Sequence, residues 1–155
     1  MVTASGARLI HDTPATKVTI PTPVGRLIDR PRLLDALSAG LAAPEPSFMM
    51  VSAPAGYGKT SLLAQWAVVA RNDGAVVAWC DLDNDDRDPI VFWGSLLAAL
   101  VVAANGNDAA ERALGALEVS MEPRRHSEFL AGLTRSLDFL GSTTTVIFDD
   151  PHLLE

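Results

Sequence analysis

The stretch SAPAGYGKTSLLAQWA, Ser52 to Ala67, sets a lysine and a threonine directly behind two glycines, after an apolar run and before a segment of good helix formers. Such residues suit a triphosphate. A polyphosphate needs several backbone N–H groups aimed at one point, so the chain must curl through conformations in which side chains would collide. Gly56 and Gly58 permit that curl and a close backbone approach. The spacing Ala53-x4-Gly58-Lys59-Thr60 is the phosphate-binding loop pattern called Walker A, with alanine at the first glycine position, where a small residue suffices. Ala53, Pro54, Ala55, Gly56, Tyr57, Gly58, Lys59, Thr60 and Ser61 are therefore the expected phosphate-binding residues; the Tyr57 side chain is assigned no chemistry of its own. The helix that follows adds unpaired N-terminal N–H groups and the positive end of its dipole. Lys59 is expected to bridge the β- and γ-phosphates, serving catalysis as well as binding, and the Thr60 hydroxyl to hold Mg²⁺. Each charge-assisted hydrogen bond of this kind contributes about 1.5–3 kcal/mol. A glycine-rich turn that binds nothing is the competing reading, and the strand-before, helix-after setting argues against it.

A second signal lies in TVIFDDPHLLE, Thr145 to Glu155. A threonine and three apolar residues ending in two acids make a Walker B strand, in which Asp149 reaches Mg²⁺ and Asp150 polarises the attacking water. Alone, such a run is often only a strand end. Behind a Walker A loop it gains weight, because the two together form a metal–triphosphate site.

These residues need elements to carry them. Residues 1–17 are polar and aperiodic and read as a flexible N-terminal arm, leaving 18–155 as the domain. VTIPTPVGRLID is extended, because Pro21 and Pro23 forbid a helix. RPRLLDALSAG reads as a short helix with Leu33, Leu34 and Leu37 on one face and Gly40 as its stop. FMMVS, Phe48 to Ser52, is an unalternating apolar run, expected as a strand buried on both faces. A helix to about Ala70 follows the glycine loop, then a second buried strand, AVVAWCDL, and an acidic loop, Asp83 to Asp88. Pro89 opens a helix to about Ala104, NGN breaks it, and Asp108 with Glu111 makes a capping-box-like start for the next. Pro123 is expected as a break, with Ser127 capping a helix that runs to Leu140 before Gly141. TTTVIFDD is the third strand. Strands alternating with helices imply an α/β fold, a parallel sheet with helices on both faces, and with the glycine loop this is a P-loop NTPase.

Composition narrows the function classes. With 48% apolar and 20% charged residues over 155 positions, the chain is globular. Its apolar run Val91–Ala104 falls short of the ~20 residues that span a bilayer, so no membrane partner is expected. The N-terminus has no long apolar segment of the secretory kind, and a cytoplasmic location is expected. Cys80 is the single cysteine and reads as a small core residue. The formal charge is −7, Lys17 and Lys59 are the only lysines, and no basic block appears, all of which argue against direct contact with nucleic acid. Asp83–Asp88 lacks the glycine and terminal glutamate of an EF-hand loop and reads as a solvated loop. Phe92, Leu96, Leu97, Leu100 and Val101 form a core stripe, and Trp66, Trp79 and Trp93 read as packing residues.

Together SAPAGYGKTSLLAQWA, AWCDLDNDDRDPIVFWGSLLAAL, TVIFDDPHLL and the upstream VGRLIDRPRLLDAL resemble the nucleotide-binding domain of large LuxR-type transcriptional regulators. Those proteins belong to the STAND class of signal-transduction ATPases, related to AAA+ proteins, and the resemblance covers about residues 18–155. It implies a switch that rests with ADP, self-associates with inducer and ATP, and resets by slow hydrolysis in the full-length protein. It also implies that Leu27, Ile28 and Arg30 line the adenine side. Pro151 departs from the aromatic or aliphatic residue usual in relatives. Relatives continue past the Walker B strand into sensor strands, a winged helix, helical repeats and a C-terminal DNA-binding helix-turn-helix. A chain reaching only Glu155 is therefore expected to be truncated after that strand, with exposed apolar surface and a tendency to self-associate. Two other readings compete. A small-molecule or nucleotide P-loop kinase would need an arginine-rich lid, for which only Arg124 and Arg125 are available. A nucleotide-dead interaction domain would not need the intact Lys59, Thr60, Asp149 and Asp150.

Overall fold

In the computed structural model, which describes residues 3–22, 28, 30–42, 47–141 and 143–150, proline and asparagine set many of the element boundaries. The elements run β1 (Thr3–Ser5), α1 (Gly6–Asp12), α2 (Pro31–Leu41), α3 (Lys59–Asn72), β2 (Val76–Asp81), α4 (Pro89–Ala104), α5 (Asp108–Gly115), β3 (Glu118–Ser120), α6 (Pro123–Leu137) and β4 (Thr144–Asp149), with short 3₁₀ turns at Ala15–Lys17, Asn84–Arg87 and Asp138–Leu140. Pro31, Pro89 and Pro123 each stand in a first helical turn, where a missing N–H removes no intrahelical bond. Pro123 thus opens α6 rather than breaking the chain, and Ser127, expected as its cap, lies inside the helix with its hydroxyl donating to the Pro123 carbonyl at 3.0 Å. The cap of α5 is Asn107, one residue before the expected Asp108, accepting from the N–H groups of Ala109 and Ala110 at 3.2 Å each. Among the described residues no helix is long and apolar enough to cross a membrane.

The chain divides into two compact units. The larger comprises the described residues of Met1–Thr19 and Ala75–Glu155. Its parallel pair β2–β4 runs in register from Val76 opposite Thr144 to Asp81 opposite Asp149. The core packs α4 on this pair: Leu97, Leu100, Leu114, Val119 and Cys80 are all essentially inaccessible. Phe92 stacks on Phe148 with ring centroids 5.6 Å apart, and Trp93 meets Phe129 edge-on at 5.0 Å.

The segment expected as a flexible arm folds. Thr3–Ser5 pairs antiparallel with Glu118–Ser120, and the Gly6 N–H donates to the Leu117 carbonyl at 2.7 Å. A Cβ at Gly6 would fall 2.8 Å from the carbonyl oxygens of Leu114 and Leu117, so only glycine fits there. The arm then ends in a buried lysine. Lys17 Nζ lies 2.7 Å from Asp86 Oδ2 and 2.9 Å from Asp83 Oδ2.

This clasp also corrects the expectation of a solvated acidic loop. The Asp86 side chain is fully buried, taking a 2.8 Å hydrogen bond from the Ser95 hydroxyl and another from the Asp83 N–H. Asp83 in turn accepts from the Asp85 N–H at 2.9 Å, closing a reciprocal cap around the 3₁₀ turn. Burial alone would push the Lys17 pKa down, but the carboxylates of Asp86 and Asp83 outweigh it and hold it above the ordinary 10.5.

The smaller unit, Ile20–Gly74, carries α2 and α3. Leu37 and Leu62 are buried, and the buried Trp66 donates its indole N–H to the Ser38 hydroxyl at 3.1 Å. The expected strand Phe48–Ser52 is absent: the segment has no strand pairing, and Phe48 and Met50 are 89% and 75% exposed. An apolar run becomes a doubly buried strand only with neighbours on both sides, and no other strand lies in this unit among the described residues.

Candidate functional site

The glycine loop folds as its composition demands. Gly56 and Gly58 have φ of 81° and 78°, left-handed values that cost other residues about 1–2 kcal/mol. Between them Tyr57 closes a turn, its N–H reaching the Pro54 carbonyl at 3.3 Å. Gly58 is the N-cap of α3, and no side chain caps the helix. The first i→i−4 bond is Leu62 N–H to the Gly58 carbonyl, at 3.0 Å, so the N–H groups of Lys59, Thr60 and Ser61 precede any intrahelical acceptor. No acid stands in that first turn to compete for them. Nothing lies within 4 Å of the place a Cβ on Gly56 would occupy, so the loop is unpacked on that side. Bare donors, a helix dipole and a left-handed curl at two glycines fit an anion.

Two cations attend the loop. Lys59 Nζ donates to the Ala53 carbonyl at 3.0 Å, folding back over the turn it belongs to. Arg30 Nη1 donates to the Tyr57 carbonyl at 2.9 Å. Both lie on a cleft of about 350 Å³ whose other walls include Leu33, Met49, Met50 and the exposed ring of Tyr57. Met49 and Met50, expected inside a buried strand, instead give the cleft an apolar wall. Ile28 is 68% exposed, and Leu27 lies outside the described residues.

In the larger unit, β2 and β4 end side by side in acids. Asp149 is buried, and its carbonyl accepts from the Leu82 N–H at 3.1 Å. Asp81 sits opposite it in the register. Asp150, next in the chain, takes a φ of 54°, a left-handed value that aspartate tolerates better than most residues. Burial, and then the nearby charges of Asp149, Asp150 and Asp83, raise the Asp81 pKa above 3.8. Ligands of open parallel sheets gather at the carboxyl ends of strands, where these acids stand. Sequence reasoning singled out Asp149 and Asp150 but passed over Asp81, whose only signal was an acid ending an apolar run.

The model of the AAA ATPase domain family matches residues 22–155. Serine/threonine-protein kinase PknK of Mycobacterium tuberculosis is 42% identical over 88 residues, which is 57% of this chain and 8% of that protein. The HTH-type transcriptional regulator MalT of Vibrio cholerae is 32% identical over 139 residues, and that of Vibrio campbellii is 34% identical over 139, each covering 90% of this chain and 14% of the relative. The chain thus spans a small part of the length of these curated relatives. No solved structure matches it.

Proposed function

The chain belongs to the AAA ATPase domain family, and on that premise we propose that it is the ATP/ADP-binding switch domain of a large LuxR-type, MalT-like transcriptional regulator. The observation that carries the proposal is the curl at Gly56 and Gly58, which leaves the N–H groups of Lys59, Thr60 and Ser61 without helix acceptors beside a lysine that, among the described residues, bonds a neutral carbonyl. A phosphate oxygen offers that ammonium a stronger, charge-assisted acceptor than the Ala53 carbonyl. Ala53–Ser61 bind the phosphates, Lys59 takes the β/γ end, and Leu27, Ile28 and Arg30 lie on the adenine side. Thr60 and Asp149 supply the hard oxygens that suit Mg²⁺, which neutralises charge on the phosphates when bound. Asp150 orients the attacking water, and hydrolysis is slow and proper to the full-length protein. Self-association accompanies the ATP state. DNA contact falls to a helix-turn-helix elsewhere in the longer polypeptide, in keeping with the net charge of −7 here.

The kinase reading has less support. Arg124 and Arg125, its only lid candidates, pair with Glu128 and Glu122, at 3.4 and 3.5 Å, along the surface of α6. Calorimetric titration of ATP and ADP with Mg²⁺ tests the proposal: wild type binds both, and Lys59→Ala binds each about tenfold to a hundredfold more weakly. Equal affinity of the two proteins overturns it.

A further inference from the structure

We infer that Arg30 is a positioning residue for the phosphate loop, its guanidinium holding the Tyr57 carbonyl so that the turn between Gly56 and Gly58 stays in its phosphate-accepting curl. The inference rests on reading Ala53–Ser61 as a phosphate site, and it gives a residue outside the loop control of the loop's shape.

Among the described residues the loop tip has little else to fix it. Tyr57 lies between two glycines of positive φ, the residues with the most backbone freedom to lose, and is itself 65% exposed. Its N–H bond to the Pro54 carbonyl is long, at 3.3 Å, whereas the Arg30 bond to its carbonyl is 2.9 Å and charge-assisted. That carbonyl decides where the next amide points. In a trans peptide the C=O and the following N–H lie on opposite sides of the bond, so a Tyr57 carbonyl turned to Arg30 sends the Gly58 N–H the other way. Rotating this peptide would swap the two, presenting a carbonyl oxygen where the N–H had been and repelling an anion bound there.

Arg30 is itself mounted rigidly. Its carbonyl accepts from the N–H groups of Leu33 and Leu34, at 3.0 and 3.1 Å, at the start of α2. Helix α2 is in turn tied to α3 through the Ser38–Trp66 bond, so the prop and the loop it braces share one framework. The guanidinium lies 3.4 Å from the place a Cβ on Gly58 would take, so the contact extends along the turn.

Hydrogen–deuterium exchange in the nucleotide-free chain tests the prop without any ligand. Arg30→Ala is expected to speed exchange in peptides covering Ala53–Ser61 while leaving those of α4 unchanged, and Arg30→Lys, which keeps a charged donor, is expected to restore much of the protection. Unchanged exchange at Ala53–Ser61 in Arg30→Ala overturns the inference; if that variant does not fold, a lysine variant with fully wild-type loop exchange and nucleotide affinity supports it, and one as impaired as a scrambled loop overturns it. In titrations, Arg30→Ala is expected to weaken ATP, GTP and inorganic tripolyphosphate by one common factor of about ten, the value of one charged hydrogen bond. A loss confined to ATP would mean that Arg30 reads the base and would overturn the positioning role. Lys59→Ala serves as the control: if it binds ATP like wild type, the phosphate-site reading fails, whatever Arg30 does to loop exchange.

Discussion

Lys17 and Lys59, the two lysines of the chain, sit in opposite circumstances. Lys17, in the larger unit, has a nearly buried side chain and touches two carboxylates, one of them fully inaccessible. Lys59, in the smaller unit, is half-buried and donates to one neutral carbonyl of its own loop. The first has its charge matched within the fold. The second donates, among the described residues, to a neutral carbonyl and to no carboxylate, a state that suits a group awaiting an anion. The same cation chemistry thus serves structure in one unit and, under the proposed function, recognition in the other.

The largest effect that would sharpen this contrast is on stability. Lys17→Met leaves Asp86 buried without its cation, so unfolding free energy should fall by about 3 kcal/mol, and Tm by about 10 °C. Adding Asp86→Leu should recover most of that loss, because a buried pair replaced on both sides by apolar groups is often neutral. The pH dependence follows. The Lys17 pKa is raised in the fold, so its contribution is complete below 10.5 and is lost as pH climbs through the higher folded value. Bonding to Lys17 lowers the Asp83 pKa below 3.8 against the smaller pull of burial, so that contribution holds above 3.8 and is lost as pH falls through the depressed value. Melting curves of wild type and Lys17→Met should therefore stay evenly separated from about pH 5 to 9. A neutral Lys17→Met would break the contrast at its first term.

Next in size is Lys59→Ala. Its nucleotide affinity should fall by about 1.5–3 kcal/mol or more, a loss of tenfold to a hundredfold by calorimetry, with the ligand-free Tm within about 1 °C of wild type. A large drop in ligand-free Tm would show that this lysine, too, is structural. Smaller again is Gly56→Ala, where the Cβ has room but the φ of 81° costs about 1–2 kcal/mol. Nucleotide affinity should fall by about tenfold. Gly74→Ala, at a φ of 90° with equal room, should lower Tm and leave affinity unchanged. The smallest effect is at Asp81. Its raised pKa means that its charge is unfavourable in the fold at neutral pH, and this penalty vanishes as pH falls below 3.8. Asp81→Asn should melt slightly higher than wild type at pH 7, and the difference should close in acid.

What the sequence made legible was local. The glycine loop, the Pro89 helix, the run ending in Asp149 and the buried Cys80 all announce themselves within a few residues, through backbone freedom, capping or hydrophobic runs. What it hid was long-range. Lys17 and Asp86 are far apart in the chain, and nothing near either marks it as the other's partner. Thr3–Ser5 and Glu118–Ser120 are too short for any periodicity to register. Phe48–Ser52 misleads in the other direction: its composition says buried strand, but burial belongs to neighbours that a window of five residues does not contain. Arg30 lay in a segment of interest, yet its bond to the Tyr57 carbonyl depends on a turn formed 27 residues away.

Cys80 carries a practical consequence. It is wholly enclosed, and desolvation drives its thiol pKa up to about 12, so at mildly alkaline pH a maleimide meets almost no thiolate while the chain is folded. Its modification rate becomes a clock for opening of the larger unit, started by adding reagent and read by mass. Running that clock with and without ATP would reveal whether ligand energy delivered at Ala53–Ser61 is felt at β2, a measure of coupling that needs no mutation at all.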